Sequence, residues 1–75
     1  MKIILIGSCG QMGQEVKKNL ALGDKIVAEV DQNKPLTKRN LHADVIIDFS
    51  SASDRSKYFD YAKKWGVPYA CFATG

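Results

Sequence analysis

The run IILIGSCGQMGQEV, Ile3 to Val16, constrains the fold of this chain more than any other stretch. Four apolar residues run directly into Gly7, Gly10 and Gly13, and a helical periodicity begins at once. A buried strand that turns sharply into a helix leaves the helix's first N–H groups without intrahelical partners at the strand's end. Such a turn either cradles an anion or simply packs two elements closely. Glycine spacing alone does not choose between the two, so the surrounding chain must.

The remaining periodicities supply that context. Lys2–Ile6 reads as a short buried strand, continuous, β-branched and bounded by Gly7. From Gln11 the period becomes helical. Met12, Val16 and Leu20 recur every four residues with Glu15, Lys17 and Lys18 on the other face, and Gly23 ends the element. Lys25–Val30 predicts a second strand, closed by Asp31. The polar stretch from Gln32 to Ala43, broken by Pro35, is a loop with room for one helical turn. Val45–Phe49 predicts a third strand, and Ser51 and Asp54 then show capping-box spacing. Tyr58, Tyr61, Ala62 and Trp65 fall at i, i+3, i+4 and i+7, the core-facing stripe of a second helix that Gly66 and Pro68 stop. Pro68–Phe72 begins a fourth strand.

The order β-α-β-loop-β-α-β with short apolar strands predicts an α/β fold: a partial Rossmann-like, doubly wound parallel sheet of four strands with two main helices. Sheet order 2-1-3-4 is the simplest arrangement. It puts the ligand crevice between strands one and three, outside their carboxyl ends.

Size and composition narrow the possibilities further. At 75 residues the chain forms one small domain, burying only about 60% of its unfolded surface. No apolar run approaches the roughly 20 residues of a membrane span. Ile3–Ile6 is too short for a secretory signal, so a cytoplasmic protein without membrane partners is expected. The net charge of +3 resides in Lys34, Lys38 and Arg39. No interleaved aromatics accompany them, and no nucleic-acid partner is expected. Cys9 and Cys71 match no zinc spacing and form no disulfide framework, and His42 stands alone, so no metal site is assigned. Cys9 lies at a helix N-terminus, where a thiol can acidify; the need for a small side chain in a tight loop is the preferred explanation.

In this context the glycine loop takes on the parts of a dinucleotide fingerprint, although its spacing is G-x-x-G-x-x-G. Gly7 permits the turn, Gly10 allows close backbone approach to a pyrophosphate, and Gly13 lets helix and strand pack closely. Asp31, 18 residues beyond Gly13, would accept hydrogen bonds from ribose hydroxyls and disfavour a 2′-phosphate, which favours NADH. Lys34, Lys38 or Arg39 would soften that preference if the loop folded inward, and the lesser alternative is that Asp31 simply begins a turn. Ser50 and Ser51 offer hydroxyls or helix caps. Asp48, inside an apolar strand, reads as a hydrogen-bonded structural carboxylate. No nucleophile–base pair and no pair of carboxylates can be assembled, and no catalytic residue is assigned.

Three segments, IGSCGQMG, DVIIDFSSAS and GVPYACFATG, resemble in order and spacing the N-terminal domain of dihydrodipicolinate reductase, also called 4-hydroxy-tetrahydrodipicolinate reductase. The resemblance spans essentially the whole chain. It implies that Gly7, Ser8, Cys9, Gly10, Gln11, Met12 and Gly13 hold the pyrophosphate of NAD(P)H and that Asp31 holds the ribose. Phe49 and Ser50 would line the cofactor, and Phe72, Ala73 and Thr74 its nicotinamide side. The chain departs from the family in two places. Phe72 and Ala73 replace the first glycine and threonine of a G-T-T-G turn, where a phenyl ring would crowd the nicotinamide. Gln11 stands where the family often has arginine.

By resemblance the activity is hydride transfer from a reduced nicotinamide to a cyclic unsaturated dicarboxylate on the route to diaminopimelate and lysine. Residues 1–75 would then be an incomplete NAD(P)-binding domain, a truncated form without the substrate and catalytic domain and not catalytic alone. A stand-alone dinucleotide-binding or regulatory module, or a self-associating remnant without ligand, are the alternatives. Under each, the last strand leaves an exposed sheet edge, and a homo-oligomer is expected.

Overall fold

The computed structural model describes residues 1–7, 10–31, 33–50 and 55–72. The elements run β1 (Lys2–Ile6), α1 (Gln11–Lys18), β2 (Lys25–Val30), β3 (Val45–Asp48), α2 (Arg55–Trp65) and β4 (Tyr69–Cys71). The four strands form one parallel sheet in the order β2-β1-β3-β4, as the element order predicts.

β1 is the axis of the core because it is buried on both faces. Ile4, Leu5 and Ile6 are fully inaccessible, and each contributes about 1.5–3 kcal/mol of apolar burial. Ile4, Ile6 and Ile46 face Tyr58, Tyr61 and Ala62 of α2 and Val67 beyond it. Strand alternation turns Ile3 and Leu5 to the opposite side. There Glu29, level with Leu5, meets Lys17 of α1 in an ion pair. The two helices therefore cover opposite faces. β2 carries one extra residue opposite β1, since the register shifts between Ile3 and Ile4. Val27 and Ala28 both pack on the α2-side core as a result, the behaviour of a bulge in which two residues oppose one.

Several boundaries differ from the sequence reading. α1 stops at Lys18 instead of continuing to Gly23. Asn19 caps it, donating its backbone N–H to Glu15 and Val16 carbonyls and its side-chain amide to the Glu15 carbonyl at 2.7 Å. An asparagine side chain competes in this way for the backbone groups that would extend a helix. Gly23 instead sits in a positive-φ turn before β2, with the Met1 ammonium on its carbonyl. β3 ends at Asp48, and Phe49 keeps only a single ladder bond to the Ile6 carbonyl. β4 is reduced to Tyr69–Cys71. The described part of the β2–β3 connection contains no helical turn. It is pinned by Tyr61, whose hydroxyl donates to the Arg39 carbonyl and accepts from the Leu41 N–H. Among the described residues, no helix is long and apolar enough to cross a membrane.

Candidate nucleotide crevice at the strand ends

The carboxyl ends of the strands gather most of the residues singled out from the sequence. Gly7 leaves β1 at φ +80°, a region that side chains other than glycine rarely adopt. Its N–H extends the ladder to the Val30 carbonyl at 2.7 Å. A Cβ added there would meet the backbone carbon of Phe49 at 3.1 Å, so Gly7 serves both the turn and the close approach of the β3 end.

Gly10 then caps α1 in an extended conformation, its N–H on the Gly7 carbonyl at 3.1 Å. It brings no side-chain hydrogen bond to the helix end, and the first turn, with Gln11 and Met12, holds no acidic residue. Among the described residues, then, no side-chain cap is seen at the leading N–H groups of α1, which lie in the positive end of the helix dipole. Gly13 is buried, consistent with close packing of the helix's first turn. Ser8 and Cys9 lie outside the described residues, as do Ala73, Thr74 and the predicted cap from Ser51 to Asp54.

Asp31, at the end of β2, begins a turn: one carboxylate oxygen accepts the N–H of Asn33 at 2.7 Å and of Lys34 at 3.0 Å. The same residue borders a cavity of about 560 Å³ between the β2–β3 connection and α2. Leu36, Tyr58, Tyr61 and Trp65 line it, with Lys38 and Lys57 among the cations. A cavity of this size is in the usual range for small-molecule sites. The sequence reading missed it, since Tyr58, Tyr61 and Trp65 showed only a helical core stripe. The single signal was Pro35, which keeps the connection from packing as a helix on α2. His42, exposed and at positive φ, lies outside the cavity lining.

At the β3 end, Asp48 is fully buried and hydrogen-bonded, as its place in an apolar strand implied. It accepts the Ser50 N–H at 2.7 Å on one carboxylate oxygen and the Tyr69 hydroxyl on the other. Burial foremost, and then the Asp48 carboxylate, push the Tyr69 phenol well above its ordinary value of 10.0. The backbone carbonyl of Asp48 meanwhile accepts the Phe72 N–H at 2.8 Å. This one residue fixes the turn of Phe49 and Ser50 and the exit of β4. Phe49 and Phe72 stack with ring centroids 5.5 Å apart. Among the described residues no cluster of three or more metal-ligating side chains occurs.

A parallel sheet with helices on both faces, a glycine turn into a helix whose cap is glycine and an acid closing the second strand define a Rossmann-like nucleotide-binding domain. The family model of the dihydrodipicolinate reductase N-terminus matches residues 1–75, and the chain belongs to that family. A comparison with curated protein sequences found no match. Membership brings with it an oxidoreductase-type domain that binds nicotinamide dinucleotides. The residues present fit such a group. Among the described residues the helix end that would face a pyrophosphate carries no side-chain cap, and Asp31 opens onto a cavity of ligand size where the Trp65 indole N–H is buried with no partner among the described residues.

Proposed function

We propose that residues 1–75 hold the cofactor of an NAD(P)H-dependent reductase resembling dihydrodipicolinate reductase, acting in the cytoplasm on the route to diaminopimelate and lysine. The observation that carries this reading is the N-terminus of α1, reached through Gly7 and capped by Gly10 with no side-chain hydrogen bond among the described residues. Gly7 to Gly13, with Ser8, Cys9, Gln11 and Met12 between, would hold the pyrophosphate. Asp31 would hold the adenosine ribose beside the cavity, Phe49 and Ser50 would line the cofactor, and Phe72, Ala73 and Thr74 its nicotinamide side. The bound dinucleotide, when reduced, supplies a hydride for a cyclic unsaturated dicarboxylate. The chain's part is to bind and orient.

No proton-transfer residue is assigned. Asp48 engages Ser50 and Tyr69 with its two oxygens, which supports a structural role. Residues 1–75 would form an incomplete cofactor domain, with the substrate held by residues outside it. Asp31 favours NADH over NADPH by repelling a 2′-phosphate, while Lys38 on the same cavity acts in the opposite sense.

The test is a fluorescence titration of the chain with NADH and NADPH, repeated on Asp31→Asn. The amide keeps an acceptor oxygen for the Asn33 and Lys34 N–H groups and removes the charge. NADH affinity should fall about 10-fold or more, as expected for losing a hydrogen bond to a charged group, while NADPH loses less. Absence of saturable binding by a folded chain would refute the reading.

The alternative of a self-associating unit has one observation in its favour. β4 pairs only with β3 among the described residues, which leaves its outer edge open, and open edges recruit other chains. A homo-oligomer formed through that edge is expected in sedimentation, and a monodisperse monomer at high concentration would exclude it.

A further inference from the structure

The sheet order distributes the crevice along a line. Asp31 stands at the β2 end, the α1 N-terminus beyond β1, and the Phe49–Phe72 pair at the ends of β3 and β4. A dinucleotide whose ribose reaches Asp31 and whose pyrophosphate meets α1 must carry its second ring towards the two phenylalanines. Their rings are tilted by only 29° and are held from the backbone. The Phe49 N–H bonds the Ile6 carbonyl at 3.0 Å, and the Phe72 N–H bonds the Asp48 carbonyl at 2.8 Å. Phe72 nonetheless remains 59% exposed and belongs to no core cluster. The ring that the sequence suggested would crowd the nicotinamide is instead seated on a neighbouring ring, with much of its surface open.

We infer that the Phe49–Phe72 stack is a platform for the nicotinamide ring that favours the oxidised cofactor over the reduced one. This rests on the dinucleotide reading above. The physical reason is the charge of the ligand ring. Oxidised nicotinamide is a flat pyridinium bearing a positive charge, whereas the dihydro form is neutral and less flat. A phenyl face carries the negative end of its quadrupole and attracts a cationic ring more strongly than a neutral one. Phe72 is then a specificity-determining residue for the cofactor's redox state.

Isothermal titration of the chain and of Phe72→Leu and Phe72→Tyr with NAD⁺, NADH and ADP-ribose tests the inference. ADP-ribose shares the adenosine and pyrophosphate but lacks the nicotinamide ring. Phe72→Leu should weaken NAD⁺ about fivefold, the upper end of an exposed cation–π contact. It should change NADH less than twofold and leave ADP-ribose unaltered, and Phe72→Tyr should restore NAD⁺ affinity. Equal changes for NAD⁺ and NADH, or none in either while ADP-ribose binds, would overturn the platform and leave the dinucleotide reading standing. Failure of ADP-ribose to bind the folded chain would overturn both. If Phe72→Leu converted a dimer to a monomer without altering the NAD⁺-to-NADH ratio, the stack would be covered by a second copy and the inference would fall.

Discussion

Replacing Gly7 by alanine should be among the most damaging single-methyl changes in the chain, and its size can be worked out from two separable contributions. The first is backbone conformation. At φ +80° an L-residue with a Cβ is disfavoured by roughly 1–2 kcal/mol. The second is steric: the new Cβ would meet three Phe49 atoms, its carbonyl carbon at 3.1 Å and its Cβ and carbonyl oxygen at 3.3 Å. Two of these are main-chain atoms held by the Phe49–Ile6 ladder bond, so they cannot swing aside as a flexible side chain would. Forcing an extra methyl into such a contact costs about 1–3 kcal/mol.

The sum, about 2–5 kcal/mol, is a large share of the roughly 4–11 kcal/mol expected for a 75-residue domain. Gly23 is the internal control. It also has positive φ, at +95°, but a Cβ there meets nothing within 4 Å, so Gly23→Ala carries only the conformational part. Urea unfolding followed by far-UV circular dichroism separates the two. With a slope near 1 kcal/mol per molar for so small a domain, the Gly7→Ala midpoint should lie about 1–3 M below that of Gly23→Ala. Equal midpoints would refute the claim that the β1 turn is built around contact with Phe49.

Three further outcomes follow from the same structure. Tyr69→Phe removes a donor from the buried Asp48 carboxylate and should cost about 1–3 kcal/mol in chemical unfolding; a neutral effect would mean that the Asp48–Tyr69 bond contributes nothing net. Because the folded state raises the Tyr69 phenol above its ordinary 10.0, its stabilisation is complete below pH 10 and lost as pH climbs beyond it. Wild type should therefore lose stability above pH 10 more steeply than Tyr69→Phe, and parallel alkaline profiles would contradict the assigned partner. Tyr61→Phe deletes the hydroxyl that spans the Arg39 carbonyl and the Leu41 N–H, so the Leu41 amide should exchange hydrogen about 10-fold faster, and an unchanged rate would show the connection to be held by other contacts.

The sequence by itself determined the architecture. Ile3–Ile6 and Val45–Ile47 are apolar on both faces, which only a strand covered from both sides can satisfy, and the helical stripe of Tyr58, Tyr61 and Ala62 faces the core as its spacing requires. Parallel pairing follows from those periods, because parallel neighbours need a long crossover, usually a helix, and the 2-1-3-4 order is the simplest doubly wound arrangement they allow. The place of the glycine turn and of Asp31 at the strand ends was legible for the same reason.

Tertiary structure decided what depends on partners distant in the chain. One boundary turned on a near neighbour instead: α1 stops where the Asn19 side chain reaches the Glu15 carbonyl four residues back. That Asp48 is fully engaged depended on Tyr69, 21 residues away, and the cavity beside Asp31 on how a proline-broken connection settles against α2. The stacking of Phe72 on Phe49 likewise required two strand ends to become neighbours in a sheet. Periodicity records which side of an element is apolar. Hydrogen-bond satisfaction and ring contacts are properties of pairs, and pairs exist only once the fold has brought their members together.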